Sequence, residues 1–256
     1  MKPAPTCNGY RPDADHPRAC QICRSPRLRL SYRLPEFTVA RCCDCGHGMT
    51  IYPKIVTDTQ ERFQGNRWTE SRGMLESVTS AMAARRYGEL RAFGPGRDLL
   101  EVGCGTGEFL VAARAAGHWV TGLDLSQEAI AYLRCRHPDL DVRCDTVESA
   151  ALPAGSFDVI AAFHVLEHVA DPIGLLRRMR RLLRPSGLVY IRVPNLDTWY
   201  RRVLGRDWWG FSVEHVSHFT SSSLSRAFTQ AWLDILKVCD PRTPIRTARY
   251  GPCCRC

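Results

Sequence analysis

The sequence predicts an α/β protein whose main domain holds a doubly wound, mostly parallel β-sheet, preceded by a small cysteine-rich module. Three observations lead to this prediction. From Asp98 onward, apolar strand-like runs alternate with helical patterns, an order that is typical of a parallel sheet with helices on both faces. A cluster of glycines follows the first of these runs, and two C-x2-C pairs stand near the N-terminus.

Length and composition agree with an ordinary globular protein. The chain has 256 residues, of which 45% are apolar and 24% are charged, enough for one α/β domain with a small appendage. We find no run of about 20 apolar residues, the length that a membrane-spanning helix needs. The N-terminus also has no apolar segment of the kind found in secretory signals. We therefore expect a cytoplasmic protein without a membrane span.

The cysteines of residues 1–50 predict a zinc-ribbon module. The two C-x2-C pairs are separated by 18 residues, and each pair can present two thiolates from one tight turn. Four thiolates complete the shell of a structural zinc ion and leave no coordination position open. The segment from Leu28 to Arg41 alternates loosely, as a hairpin joining the pairs would. The predicted ligands are Cys20, Cys23, Cys42 and Cys45, with Cys43 and His47 as an alternative second pair.

Residues 51–93 predict a helical connector between the module and the main domain. This segment is first polar and then helical in pattern. Its helix is expected to place Met74, Val78, Met82 and Leu90 on apolar faces.

Residues 94–256 predict the main domain, with strands and helices in alternation. After the run at Asp98, strands are expected at Trp119 to Leu123, Asp141 to Cys144, Phe157 to Phe163, Leu188 to Val193 and Asp234 to Val238. Helices are expected at Phe109 to Ala116, Ser126 to Arg136, Ile173 to Leu183 and near Ser222 to Ala231. Ser126 is a residue type favoured at a helix N-cap.

The glycine cluster between the first strand and its helix indicates a ligand site. Gly103, Gly105 and Gly107 allow a sharp backbone turn and let a ligand lie against the main chain. The G-x-G-x-x-G pattern of nicotinamide enzymes is not matched, because Glu108 occupies its third glycine position. Cys104 inside the loop is interpreted as a small packing residue and not as a nucleophile.

The G-x-G-x-G loop, with Glu101 two residues before it, resembles the first motif of the class I S-adenosylmethionine (SAM)-dependent methyltransferases. Asp124, 19 residues after Gly105, and Asp145, at the end of the third strand, stand where this family has carboxylates. The segments 155–169 and 183–191 are also similar to the fourth strand and to the entry of the fifth strand in this family. The resemblance extends from Asp98 to about Val238 and implies a Rossmann-like fold.

The resemblance also implies how SAM would be held. Residues 51–93 would then also cover the cofactor. The expected contacts are Glu101, Gly103, Gly105 and Gly107 for the methionine moiety, Asp124 for the ribose, Asp145 and Val147 for the adenine, and His164 at the floor of the pocket. His168 is expected to cap or pack the following turn. Sheets of this family usually end with a seventh, antiparallel strand, but residues 241–256 have a poor strand pattern, so we expect an incomplete sheet.

The segment after the fifth strand predicts the acceptor side. It resembles the loop of a bacterial subgroup with N-terminal zinc ribbons that tailors small molecules and cell-surface glycans, and more distantly the ubiquinone-pathway O-methyltransferases. Methylation of an oxygen can need a base near neutral pKa, and histidine suits this role. We predict His215 as base or acceptor ligand and His218 as the alternative, while one histidine could instead cap the next helix. Trp68, Trp208 and Trp209 are interpreted as a lid, a sugar-stacking surface or core residues.

Two other functions are kept as alternatives. The net charge of +9 and the N-terminal zinc module are compatible with an RNA base methyltransferase. However, the arginine run at 177–184 has no interleaved aromatic residues and fits a solvated helix face. The other alternative is a non-catalytic protein that retains the SAM fold. A methyltransferase acting on a small-molecule or glycan acceptor is the preferred interpretation.

Overall fold

The structure, a computed structural model, describes residues 17–52, 72–238 and 246–249, with the backbone alone for residues 72–78 and 246–249. Strands within these ranges form one sheet of four strands and one sheet of seven strands. Among the described residues, no helix is long and apolar enough to cross a membrane.

The small sheet contains the predicted hairpin and confirms it. Strands β1 (Leu28–Arg33), β2 (Thr38–Cys42) and β3 (Gly48–Ile51) pair in antiparallel order. The fourth strand, β9 (Ser217–His218), pairs with β3 although it belongs to the C-terminal part of the sequence. The N-terminal segment is therefore joined by backbone hydrogen bonds to the segment of the main domain that the sequence predicts as the acceptor side.

The large sheet has the predicted doubly wound, mostly parallel arrangement. Its strands are β4 (Asp98–Val102), β5 (Trp119–Asp124), β6 (Asp141–Cys144), β7 (Phe157–Phe163), β8 (Leu183–Arg192), β10 (Asp234–Val238) and β11 (Arg246–Arg249). They lie in the order β10-β11-β8-β7-β4-β5-β6, and the five from β8 to β6 are parallel to one another. Strand β8 begins five residues earlier than the sequence predicts, as Leu183 pairs with Phe157.

The expectation of an incomplete sheet is wrong. Strand β11 lies between β8 and β10 and is antiparallel to both. Its sequence, Arg-Thr-Ala-Arg, has no apolar alternation. The strand is instead defined by backbone pairing with a neighbour on each side, a feature that composition does not reveal.

Six α-helices connect the described strands. They are α1 (Arg72–Arg91), α2 (Glu108–Ala115), α3 (Gln127–Arg136), α4 (Pro172–Leu182), α5 (Trp199–Leu204) and α6 (Ser221–Gln230). The predicted N-cap is confirmed, because the Ser126 hydroxyl accepts the Ala129 N–H at 3.2 Å. The prediction for Met82 is wrong: its side chain is 44% exposed, and α1 buries Ala83 and Leu90, which lie two turns apart on one face.

The core fills both faces of the large sheet. Leu99, Val159 and Tyr190 pack on one face with α1, α2 and α3, whereas Leu100 and Ile160 pack on the other face with α4 and α6. The second cluster continues into the N-terminal segment through Cys20, Ile22, Cys42, Cys45 and Met49, which share it with Phe219 and Phe228. The small sheet thus has a hydrophobic core in common with the main domain.

Candidate active site

The glycine loop follows the carboxyl end of β4, and neighbouring side chains pack closely against two of its three glycines. Gly103, Gly105 and Gly107 have φ values of 70°, 51° and 81°. A Cβ atom would lie 2.4 Å from Val165 Cγ2 at Gly103 and 2.3 Å from Leu133 Cδ2 at Gly107. At Gly105, no atom of the described residues lies within 4 Å of such a Cβ. Gly105 therefore presents open backbone to an approaching ligand.

Asp124 links this loop to the next strand. It ends β5, and its Oδ2 accepts the Gly105 N–H at 2.7 Å. Its Oδ1 accepts the Ser126 N–H at 2.8 Å. The structure thus brings together the glycine loop and the carboxylate that the sequence predicts for the ribose.

Glu101 provides a buried carboxylate below the loop. Its side chain is 4% exposed, and within the described part of the chain its Oε2 has no hydrogen-bond partner. Burial raises the pKa of Glu101, and the positive charge of Arg86 opposes this rise. Sequence reasoning missed Arg86, which lies on α1 with its guanidinium 4.7 Å from the Phe163 ring centroid. Arg85 beside it has the same charge, so the sequence alone does not mark Arg86 as the arginine near Glu101.

Asp145 follows β6 and lies beside Asp124 at the same edge of the sheet. Its N–H donates to the Asp124 carbonyl at 3.1 Å. Its Oδ1 accepts the Thr146 N–H at 2.8 Å and also the Ser149 hydroxyl. Val147, two residues on, is buried. The two predicted adenine contacts therefore lie next to the predicted ribose contact.

Histidines and a buried glutamate gather where β7 ends. His164 has a φ of 57°, and its Nδ1 lies 3.1 Å from Glu167 Oε1. The Nδ1 of His168 donates to the Glu214 carbonyl at 3.0 Å, and its ring centroid lies 4.7 Å from that of His215. Sequence reasoning missed the role of Glu167 in this cluster. The spacing His-x-x-Glu-His directly after a strand was the signal that could have found it.

His215 is buried, with 8% exposure. Its Nδ1 donates to the Gly210 carbonyl at 2.9 Å, so Nε2 is the nitrogen with the lone pair. Burial lowers the pKa of His215, whereas the negative charge of Glu167 opposes this change.

His218 is buried deeper than His215 and belongs to β9. The Thr50 hydroxyl donates to the His215 carbonyl at 2.6 Å, so His218 Nε2 donates to Thr50 Oγ1 at 2.9 Å. Burial lowers the pKa of His218 to about 3. The interpretation that a histidine caps α6 is wrong, because Thr220 forms that cap with Ser223.

Of the three tryptophans singled out from the sequence, Trp208 and Trp209 are described, and they differ in environment. Trp208 is 1% exposed and packs edge-on against Phe211 at 5.0 Å between ring centroids, as a core residue does. Trp209 is 53% exposed and its ring centroid lies 6.0 Å from that of His164. Trp68 lies outside the described residues.

The four predicted zinc ligands form one compact cluster. All four Sγ atoms lie within 4.8 Å of one another, with 3.5 Å between Cys20 and Cys45 and 3.4 Å between Cys23 and Cys42. Contact between the thiols lowers the pKa of Cys20 to about 5 and raises that of Cys45. A thiolate is the form that binds zinc. His47, of the alternative pair, packs on the Phe219 ring instead.

The arginine run at 177–184 lies mostly on the surface and is partly paired within the protein. Arg178 forms an ion pair with Glu148 at 2.7 Å. Arg184 donates to Asp98 at 2.6 Å and to Asp158 at 2.9 Å. These contacts agree with a solvated helix face.

Comparison with known proteins decides the family. A family model described as a methyltransferase domain matches residues 74–238, which include every strand of the parallel sheet. The chain belongs to the SAM-dependent methyltransferases. The resemblance drawn from the glycine loop, Asp124 and Asp145 is thereby confirmed at the level of the family.

Curated relatives agree with this family, and a solved structure shares the fold. A probable SAM-dependent methyltransferase of Mycolicibacterium smegmatis is 36% identical over 103 residues, 40% of this chain and 40% of that protein. A ubiquinone biosynthesis O-methyltransferase of Xanthomonas campestris is 33% identical over 136 residues, 51% of this chain and 57% of that protein. The chain thus spans about half the length of these relatives. A SAM-dependent methyltransferase structure from Mesorhizobium loti shares the fold, with a TM-score of 0.52 and 23% identity, covering 64% of this chain and 97% of that one.

Proposed function

We propose that the protein transfers the methyl group of SAM to a hydroxyl group of a small molecule or a glycan precursor. One observation carries this proposal: the open backbone of Gly105, the Asp124 carboxylate and the histidine cluster all lie at the carboxyl edge of one parallel sheet. In such sheets, this edge is where ligands bind.

The residues at this edge fit the chemical groups of SAM. The unpartnered Oε2 of Glu101 offers an acceptor for the ammonium of the methionine moiety. The glycine loop provides room for the chain of that moiety, and Asp124 can accept hydrogen bonds from the ribose hydroxyls. The adenine is assigned to Asp145 and Val147, and His164 is assigned to the pocket floor.

SAM supplies a methyl group that its positively charged sulfur already activates, so the protein must mainly align the acceptor. In this step a bond forms between the acceptor oxygen and the methyl carbon, and the sulfur–carbon bond breaks. Alignment alone can lower such a barrier by about 7–11 kcal/mol. The chain then has to take the proton of the hydroxyl group.

We assign that proton to Nε2 of His215. The hydrogen bond from Nδ1 to the Gly210 carbonyl fixes the tautomer in which Nε2 can accept a proton. His218, the alternative base, uses Nε2 to bond Thr50, and we propose that it holds β9 against β3. The name of the Xanthomonas relative, an O-methyltransferase, supports oxygen as the acceptor atom.

We also infer that the four N-terminal cysteines hold a structural zinc ion. Zn–S bonds of about 2.3 Å place tetrahedral sulfur ligands roughly 3.8 Å apart, and two of the sulfur separations in the structure are 3.5 and 3.4 Å. The cytoplasmic location predicted from the sequence suits this use of cysteine.

The test is methyl transfer from labelled SAM to a size-fractionated cell extract, with and without RNase. We expect label in a small-molecule or glycan fraction, and its loss in His215→Ala. Label that disappears after RNase treatment would contradict the proposal and identify RNA as the acceptor. SAM binding without transfer to any fraction would favour the non-catalytic alternative.

A further inference from the structure

We propose that Glu167, His168 and His215 bind a divalent transition-metal ion, at a site distinct from the cysteine cluster. One carboxylate oxygen and one nitrogen from each imidazole lie within 4.8 Å of one another. Glu167 and His168 belong to the 3-10 turn after β7, and His215 precedes β9. The fold thus brings two imidazoles and one carboxylate together from separate parts of the chain.

The separations suit a metal ion after a small adjustment. Metal–ligand bonds of about 2.1 Å place neighbouring tetrahedral ligands roughly 3.4 Å apart. Since no pair is more than 4.8 Å apart, each has to close by at most about 1.4 Å.

Both imidazoles are held as metal ligands usually are. His168 Nδ1 donates to the Glu214 carbonyl, and His215 Nδ1 donates to the Gly210 carbonyl. A metal-binding histidine commonly donates its second ring nitrogen to a carbonyl or carboxylate, which fixes the ring and the tautomer. Nε2 is therefore the nitrogen that each ring would offer.

The buried carboxylate of Glu167 gives a second, independent indication that a cation binds at this cluster. Its side chain is 1% exposed, and among the described residues its Oε2 has no hydrogen-bond partner. Leaving a buried charged oxygen unsatisfied is costly. A cation between Glu167 and the two imidazoles would remove that cost, while Oε1 keeps its contact with His164.

The donor set indicates the class of metal. Two imidazole nitrogens and one carboxylate oxygen suit Zn²⁺, Mn²⁺, Fe²⁺ or Co²⁺, whereas Mg²⁺ and Ca²⁺ prefer oxygen alone. Three protein ligands leave coordination positions open, as catalytic sites do. His164 contacts Glu167 and lies 6.0 Å from Trp209 between ring centroids, so an acceptor oxygen that reached these residues could complete the coordination of the ion. This last step rests on the proposed function. With the ion bound, Nε2 of His215 would hold the metal and would not act as the base; the acceptor hydroxyl, made more acidic by the ion, would release its proton to water.

The test measures ion binding directly and does not depend on turnover. Untagged protein with zinc already in the cysteine cluster is titrated with Mn²⁺, and unbound Mn²⁺ is measured by electron paramagnetic resonance. Mn²⁺ is chosen because thiolates favour softer ions. We expect one saturable site per chain, and at least about a tenfold loss of affinity in Glu167→Gln and in His215→Ala.

Matched controls change the same chemical groups elsewhere. Glu148→Gln removes an exposed carboxylate that pairs with Arg178, and His137→Ala removes the histidine that ends α3. Both should keep the parent affinity for Mn²⁺. If Glu167→Gln does not fold, judged by melting temperature and zinc content, His168→Ala at a half-buried position replaces it.

Two results would overturn the inference: no saturable binding of either Mn²⁺ or Co²⁺ up to millimolar concentration, or equal affinity in the parent and in the ligand variants. The proposed function is judged separately by transfer of label. Metal binding without any transfer would leave this inference standing and refute the function. Transfer that needs His215 in a protein that binds neither ion would do the reverse.

Discussion

Substitution of alanine for Gly105 or for Gly107 adds one methyl group to the same loop, but we expect different consequences at the two positions. Both have left-handed φ values, 51° and 81°, so alanine is strained at either position. At Gly107 the new Cβ would lie 2.3 Å from Leu133 Cδ2, whereas at Gly105 no described atom lies within 4 Å. We predict that Gly107→Ala mainly lowers stability and that Gly105→Ala mainly lowers SAM affinity.

The expected magnitudes follow from these contacts. The left-handed backbone costs about 1–2 kcal/mol for either alanine. At Gly107, displacement of the fully buried Leu133 adds about 1–3 kcal/mol of overpacking. With a shift of roughly 2–4 °C per kcal/mol in a protein of this size, Gly105→Ala should lower Tm by about 2–8 °C and Gly107→Ala by about 4–20 °C.

The affinity measurement separates the two variants. A methyl group on the open face of Gly105 displaces the bound cofactor from the backbone, and we expect at least about a tenfold rise in Kd, equal to roughly 1.4 kcal/mol. Isothermal titration with SAM and thermal unfolding without SAM measure the two effects. If Gly105→Ala bound SAM within about threefold of the parent, the open face of Gly105 would not be the cofactor surface, and the reasoning would fail.

Three further predictions concern stability. Thr220→Ala removes the α6 cap and a hydrogen bond to the Cys45 carbonyl at 3.1 Å, so Tm should fall by about 2–8 °C. The control Ser222→Ala, at an exposed position of the same helix, should change Tm little. Equal shifts in the two variants would contradict this prediction. Burial disfavours the Asp158 anion, but the Asp98 N–H and Arg184 outweigh it and lower the pKa of Asp158 below 3.8. The contribution of Asp158 to the free energy of unfolding is therefore present above the unfolded pKa and is lost as pH falls through the folded pKa. In urea unfolding, Asp158→Asn should therefore lose less stability relative to the parent at pH about 3 than at pH 7. An equal loss at the two pH values would argue against this role. Zinc chelation should raise amide exchange in β9 as well as in β1 to β3, and a rise confined to residues 20–45 would count against the shared sheet.

The elements that the sequence predicts best are those defined by local pattern. Strands β6, β7 and β10 have the predicted bounds, because each run is closed by turn residues or by a change of pattern. Strand β11 could not be predicted, since its residues 246–249 are held by pairing with β8 and β10. Burial of α1 was also misjudged at Met82, because which face of a helix meets the sheet depends on its docking.

The same distinction applies to the candidate site. The glycine loop and Asp124 could be recognised because their positions follow directly from the ends of consecutive strands. Glu167 and His168 could have been found from the spacing His-x-x-Glu-His after β7. The approach of His215 to them could not, because it depends on how the long segment after β8 folds back over the turn that follows β7. No spacing in the sequence encodes that approach.

The N-terminal segment is better understood as part of the proposed acceptor side than as an appendage. Strand β3 pairs with β9, Thr50 bonds both the His215 carbonyl and the His218 ring, and the Tyr52 hydroxyl donates to the Val213 carbonyl at 2.7 Å. A zinc ion that rigidifies β1 to β3 would, through these bonds, also restrict the backbone that carries His215. A docking module joined by a linker would make no such contacts, so the cysteine cluster has a structural reason to accompany this particular histidine loop.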